Sequence, residues 1–300
     1  MSSKLMGPFL IAIAALLWAT DALFRLPTMS ELTPTFIVLM EHLICVLVLL
    51  PWMFFKMRKE LFKLSFTEWS ASALIGIGGS AAATIFFTAS FRYINPSVAI
   101  LLQKLQPILV TLLAILILGE RPQGSFYGWA ALAIFAGLII SFPNFHFGFV
   151  TSGIDLHSKG VSYALIAAGL WGISTIAGKV MLKKTPPSVV TFWRFAFGLL
   201  ALVGLTFISG EAIPFSVLSQ THTLQALAYM GLVPGLIAMT AYYRGLQTTP
   251  ATTTTYVELI FPIGAVILNT YFLKIPLDPV QTVGGVLLLV AVTNLSYKNA

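Results

Sequence analysis

Charge is what this sequence has least of. Only 9% of its 300 residues are Asp, Glu, Lys or Arg, against about 25% in an ordinary soluble domain. With 58% hydrophobic residues and a mean hydropathy of +0.92, the chain cannot cover a globular surface with polar groups. That excludes an ordinary cytosolic enzyme and a disordered chain. Cysteine is nearly absent too. Cys45 stands alone in an apolar run, so a disulfide scaffold is excluded and nothing follows about redox compartment. Catalytic signatures are also missing: there is no His-Glu-x-x-His, no Gly-x-Ser-x-Gly and no P-loop. No catalytic residue, metal site or cofactor is therefore expected, nor direct ATP drive within this chain. The formal charge of +7 is spread too thinly over a lipid-soluble chain to make a nucleic-acid groove, so no nucleic-acid partner is expected.

What remains is long apolar runs, and these point to an all-α integral membrane protein. A spanning helix needs about 20 mostly apolar residues. Runs between charged or Pro/Gly breaks fall at 7–24, 34–55, 70–91, 96–118, 124–142, 160–181, 187–209, 222–243, 251–273 and 280–296. The stretch Lys4–Ala19 imitates a signal peptide, but the apolar pattern continues, so a retained first helix is expected. Ten spans put both termini on one side. Lys4, the cluster Lys56, Arg58, Lys59 and Lys63, then Arg121, Lys183, Lys184, Arg244 and Lys298 share that side. Arg25, Arg92, Lys159 and Lys274 take the other. The excess of basic residues predicts cytoplasmic N and C termini.

The strongest signal is internal repetition. Leu17-Trp18-Ala19 recurs as Leu170-Trp171-Gly172, Pro34 as Pro187, and Glu41 matches Arg194, all 153 residues apart. Thr88-Ala89-x-x-Arg92 recurs as Thr240-Ala241-x-x-Arg244, Pro96 as Pro250 and Pro107 as Pro262. The chain thus divides into residues 1–148 and 149–300, each with five predicted helices. An odd number inverts the second copy, and inverted repeats typify alternating-access carriers with a substrate site at the repeat interface.

Two five-helix repeats, each opening on a Leu-Trp-small motif, resemble the drug/metabolite transporter superfamily and its EamA-type ten-helix carriers. Leu118-Gly119-Glu120-Arg121 and Arg194-Phe195 add to the resemblance; Lys274-Ile275-Pro276 and Glu41-His42 depart from it. The resemblance implies export or exchange of amino acids, other metabolites or drugs. It also implies a central cavity lined by the first four helices of each repeat, with the fifth and tenth peripheral and able to support a weak homodimer of an otherwise monomeric protein.

An ionisable group inside a bilayer is costly and marks function by default. Glu41, Lys104, Lys179, Arg194 and Glu258 lie inside the predicted spans, with His42 beside Glu41. Glu41 lies seven residues after Pro34 and Lys104 eight after Pro96, so both sit about 10–12 Å below one surface. Arg194 after Pro187 and Glu258 after Pro250 match in depth from the other. The spacing predicts a Glu41–Lys104 pair and an Arg194–Glu258 pair. These pairs either hold helices together or line the cavity. Lys179 is expected to snorkel to the surface, and Asp21 and Arg25 to lie at the interface.

Trp18 and Trp171 fall near mid-depth, away from the usual interfacial belt, and serve either bundle packing or a stacking wall. Gln103 and Gln106 share a face that lipid would not tolerate. Pro107 and Pro262 are expected to kink their helices, and Gly76, Gly78 and Gly79 to allow close helix contact. The candidate substrate-binding set is Trp18, Glu41, His42, Gln103, Lys104, Trp171, Arg194, Tyr256 and Glu258. The expected function is secondary transport of a small, amphipathic organic solute such as an amino acid across a bacterial inner membrane. Glu41 or Glu258 is a candidate proton carrier. A lipid-directed membrane enzyme and a non-transporting scaffold are the alternatives.

Overall fold

Proline opens several helices. Pro34, Pro96 and Pro187 occupy first helical positions, where the missing N–H has no partner to lose and the ring presets φ. Side chains complete the starts: Thr33 Oγ1 accepts from the Phe36 amide, Asn95 Oδ1 from Ser97 and Asp155 Oδ1 from Ser158. The structure is a computed structural model that describes residues 3–109, 124–144 and 155–298. All regular structure among these residues is helical.

Among the described residues, seven helices are long and apolar enough to cross a membrane: α1 (Leu5–Thr28), α2 (Pro34–Lys56), α3 (Phe66–Ser90), α5 (Gly124–Ser141), α6 (Leu156–Met181), α7 (Pro187–Ser209) and α8 (Thr221–Thr248). Between them comes α4 (Pro96–Leu102), and after α8 come the shorter α9 (Ala251–Val257) and α10 (Ile260–Leu273) and then α11 (Pro279–Lys298). The motif at 118–121 and the boundary at 148/149 lie outside the described residues.

The helices pack in a crossed pattern. α1 lies against the second half of α8, and α6 against α3. α2 packs on α7, and α5 on α11. Small residues permit the closest approaches. A Cβ on Gly79 would stand 2.2 Å from the Ser174 side chain, and one on Gly76 would stand 2.5 Å from Phe197 Cβ, so α3 can seat between α6 and α7 only with glycine there. The expected close contact is thus found at Gly76 and Gly79, but not at Gly78, where a Cβ would stand an ordinary 3.8 Å from Leu170. The outward faces are apolar, with Phe55, Phe207 and Ile208 almost fully exposed, as a bilayer-facing surface requires.

Contacts define two ends of the bundle. At one, Trp193 Nε1 donates to the Leu61 carbonyl, Thr185 to Glu68, and Gly7 lies beside Thr248 and Thr249. At the other, Thr33 donates to Glu211, Thr223 to Glu31 (2.6 Å), and Asn95 to the Pro276 carbonyl (3.0 Å). The lysine cluster 56–63, Lys183 and Lys184 fall at the first end. These residues share an end, as the sequence predicts for them; Arg121 of the same set lies outside the described residues.

Among the described residues three stretches have π-helical hydrogen bonding, two of which bear on the site: Leu74–Ala82 within α3 and Gly231–Ile237 within α8. Such widened turns recur at functional sites. The expected proline distortions are present as well. Pro107 cannot donate to Gln103, and the chain tightens to a 3-10 turn over Gln103–Leu105. Pro262 cannot donate to Glu258, and the helix breaks between α9 and α10.

Candidate functional site

The helices surround a cavity of about 190 Å³ lined from both halves of the chain. Its polar wall carries three basic and three acidic side chains: Arg25, Lys104 and Arg194 against Asp21, Glu41 and Glu258. Its apolar wall carries Trp18, Phe87, Trp171, Tyr242 and Phe261.

Arg25 organises one end. Its Nε and Nη2 donate to the two Asp21 oxygens at 2.5 and 2.9 Å, and Nη1 donates to Thr88 Oγ1 at 2.9 Å. Nη2 also lies 2.6 Å from Glu41 Oε1, off the hydrogen-bond direction. All three charged groups are buried. Two carboxylates thus share one guanidinium. This corrects two expectations. Asp21 and Arg25 are internal, not interfacial, and Glu41 pairs with Arg25, not Lys104. Asp21 and Arg25 stand one helical turn apart and cancel each other's charge, which lets both lie inside.

Lys104 Nζ lies 3.8 Å from Glu258 Oε2 and 5.7 Å from the Phe261 ring centroid. The expected Arg194–Glu258 pair is therefore also replaced: Glu258 faces Lys104. Counting from the prolines fixed how far along its helix each charge lies. It did not fix the rotation about the helix axis, and rotation decides partners.

Arg194 has no carboxylate within ion-pair reach among the described residues. Its Nη2 donates to the Gly79 carbonyl at 2.7 Å, within the π-helical stretch of α3. Nη1 donates to Tyr243 and Ser174 hydroxyls at 3.2 and 3.3 Å. Among the described residues, Nε is buried without an acceptor, as is the amide nitrogen of Gln103. On the other side, Trp18 Nε1 donates to the Pro234 carbonyl at 3.0 Å, within the π-helical stretch of α8. Each half therefore offers a π-segment carbonyl to a cavity side chain of the other.

His42 lines the cavity with both ring nitrogens engaged, Nδ1 with the Val38 carbonyl and Nε2 with Ser80 Oγ, each at 2.8 Å. A carbonyl only accepts, so Nδ1 carries hydrogen, and Nε2 shares a hydrogen bond with the Ser80 hydroxyl. Trp171 meets Phe87 at 5.2 Å between ring centroids, and Trp18 meets Tyr242 at 5.1 Å. Tyr256 is not in the lining; its hydroxyl donates to the Thr293 carbonyl of α11 at 3.1 Å. Lys179, half-buried near the end of α6, donates to the Leu246 and Thr249 carbonyls at 3.3 and 2.7 Å, ending α8.

So Trp18, Glu41, His42, Gln103, Lys104, Trp171, Arg194 and Glu258 line one space and Tyr256 lies apart. Sequence reasoning missed Asp21, Arg25, Tyr242 and Tyr243 as lining residues. The opposite charges of Asp21 and Arg25 at i, i+4 were the available signal.

An apolar helical bundle closed around a charged, aromatic cavity has the form of a membrane transporter. The chain belongs to the EamA-like transporter family, whose pattern matches residues 5–142 and again 158–297. It is 29% identical to the riboflavin transporter ImpX of Fusobacterium nucleatum over the whole of both chains. It is 24% identical to an uncharacterized transporter of Archaeoglobus fulgidus over 94% of each chain. A solved crystal structure superposes with a TM-score of 0.68 over 99% of both chains at 18% identity, a likeness of fold. The protein is thus a membrane transporter of the drug/metabolite type, acting on a small molecule in a bilayer.

Proposed function

We propose that the protein is a secondary carrier moving a small amphipathic organic solute by alternating access, built as ten membrane helices in two inverted five-helix repeats, residues 1–148 and 149–300. The observation that carries this reading is the cavity, to which both halves contribute charge and aromatic surface. The repeat reading is supported by the double family match. It is supported too by the exchange of partners, in which α1 packs on α8 while α6 packs on α3. In a bacterial inner membrane with both termini cytoplasmic, the lysine-bearing end of the bundle faces inward. The chain acts as a monomer or weak homodimer and as an exporter or exchanger rather than an enzyme.

Trp18, His42 and Trp171 would receive the apolar part of the solute, and Glu41, Gln103, Lys104, Arg194 and Glu258 its polar groups. An amino acid is one candidate. The number of rings in the wall, and the Fusobacterium relative named for riboflavin transport, favour a solute carrying a planar ring system. Two carboxylates on one guanidinium leave Glu41 able to take a proton without stranding a charge, and Glu258 is the second candidate for coupling.

The test is uptake of labelled riboflavin and a panel of amino acids into liposomes holding the purified protein, beside Glu41→Gln and Arg194→Gln. Saturable uptake lost in either variant supports the carrier and its site. No uptake of any solute, with or without a pH gradient, favours the scaffold or enzyme readings. Uptake unchanged in both variants returns those charges to a structural role.

A further inference from the structure

A second chamber of about 380 Å³ adjoins the first. Gln103, Lys104, Gln106, Thr175, Tyr242 and Glu258 line both, so the Lys104–Glu258 pair stands at the partition. From there the second chamber runs along α6 past Lys179 toward Lys183, at the lysine-bearing end of the bundle. Thr175, Lys179 and Lys183 recur every four residues, which places them on one face, one turn apart. Among the described residues lining this chamber there are three ammonium groups and one carboxylate, Glu258.

Of these, Lys104 is enclosed, Lys179 half-buried and Lys183 exposed, so the surplus lines a path from the bundle end to the partition. Lys179 uses two of its three donors on backbone carbonyls, which cancel no charge. The Lys104–Glu258 contact of 3.8 Å is at the outer limit of an ion pair. Beyond the partition, Arg194 has neither a carboxylate partner nor an acceptor for Nε among the described residues. The Gln103 amide likewise lacks an acceptor. Buried donors with nothing to bind are rare and need an explanation. The opposite excess, two carboxylates on one guanidinium, is confined to the far end at Asp21 and Glu41.

We infer that the carried solute is an organic anion, a carboxylate or phosphate joined to a ring-bearing or apolar part. Its anionic group passes from Lys183 and Lys179 to Lys104, and then to Arg194 and Gln103. This inference rests on the carrier reading and names its substrate class. At Lys104 the solute replaces Glu258 as counter-ion, so the partition opens without leaving a buried cation unpaired. At Arg194 the planar guanidinium offers the free Nε to a carboxylate or phosphate oxygen. The ring part then lies against Trp18, Trp171 and Phe261.

The test uses one ring system in several charge states. Proteoliposomes at pH 7.5 are given riboflavin and riboflavin 5′-phosphate, and in parallel tryptamine, tryptophan and indole-3-acetate, with protein-free liposomes as background. The expected result is saturable entry with a KM at least tenfold lower for the phosphate or the carboxylate than for its neutral or cationic parent. Which of the two anions is preferred separates phosphate from carboxylate. Lys183→Gln, at an exposed position, and Lys179→Gln should each raise the ratio of anion KM to parent KM about fivefold. Entry of neutral or cationic members with an equal or lower KM overturns the inference and leaves the carrier intact. So does an effect of the lysine variants that is the same on every member. Absence of entry by all members overturns both readings together.

Discussion

Arg25→Gln is the substitution with the largest expected cost. The guanidinium is buried, with Asp21 oxygens at 2.5 and 2.9 Å and a Glu41 oxygen at 2.6 Å. At an effective dielectric constant of 20, a charge pair 2.6 Å apart gains roughly 6 kcal/mol of Coulomb energy. Most of this is offset by the cost of taking the ions out of water. Glutamine keeps some length and polarity but leaves two carboxylates facing each other in the protein interior. Breaking a buried pair in this way costs about 3–5 kcal/mol, or two to four orders of magnitude in the unfolding equilibrium. Glu41→Gln is different: the bidentate Asp21–Arg25 pair survives, and the surplus buried carboxylate disappears. Its expected cost is under about 1.5 kcal/mol, no more than that of one polar contact. Arg25→Gln combined with Glu41→Gln should recover about half of the single loss, because one carboxylate then remains instead of two. The assay is reversible unfolding in mixed micelles, read by tryptophan fluorescence. An Arg25→Gln cost below about 1 kcal/mol, or a Glu41→Gln cost equal to it, would refute the shared-guanidinium account.

Gly79→Ala should destabilise the fold by about 1–3 kcal/mol, since the new methyl would stand 2.2 Å from Ser174; adding Ser174→Gly should restore most of it in the same unfolding assay. Trp18→Phe keeps a ring against Tyr242 but removes the donor to the Pro234 carbonyl, for an expected loss of about 1 kcal/mol, and no loss would show that the π-segment carbonyl finds another donor. Hydrogen bonds from Thr223 and His222 hold the Glu31 carboxyl below its usual range. A depressed folded-state value means that its contribution is complete above the ordinary glutamate range and is lost as pH falls through the lowered value. Hydrogen exchange around residues 29–33 and 221–224 should therefore quicken below about pH 4.5, and Glu31→Gln should abolish that dependence.

The apolar composition, the helix starts at Pro34, Pro96 and Pro187, and the sharing of bundle ends were legible because each is a local or one-dimensional property. The cavity membership of Trp18, Gln103 and Arg194 was legible for a related reason, since polar or interfacial residue types at mid-depth have few other places to go. The partners were not legible. Glu41 and Lys104 match in depth, and so do Arg194 and Glu258, yet the contacts run from Arg25 to Glu41 and from Lys104 to Glu258. Depth is counted along the chain, whereas contact needs the helix rotation, which changes by about 100° per residue. Tyr256 fails for the same reason. It is two residues from Glu258 but turned to α11, where Thr293 accepts from it. The repeat offset of 153 also places Asp21 opposite Ser174 and Glu41 opposite Arg194. In the second half Arg194 donates directly to Ser174; in the first, Asp21 and Glu41 are linked through Arg25.

The two proline breaks bear on how such a site can move. Pro107 and Pro262 each stand four residues after a cavity residue, Gln103 and Glu258. In each case the carbonyl that would have accepted from the proline accepts one residue earlier, from Gln106 and Phe261 respectively. A helix that has lost an i→i−4 bond bends at less cost than an intact one. Lys104 and Glu258, the pair at the partition, sit at these two weakened turns, facing each other from opposite halves. The firm charge contact, Arg25 with Asp21, joins side chains of a single helix and moves with it. Parting Lys104 from Glu258 therefore needs rotation at turns already short of a hydrogen bond and breaks only a 3.8 Å ion contact. Once parted, Lys104 and Glu258 each still face both chambers, whereas Glu41 parted from Arg25 is a carboxylate with only 8% of its side chain exposed. The asymmetry makes the Lys104–Glu258 side the one that yields first.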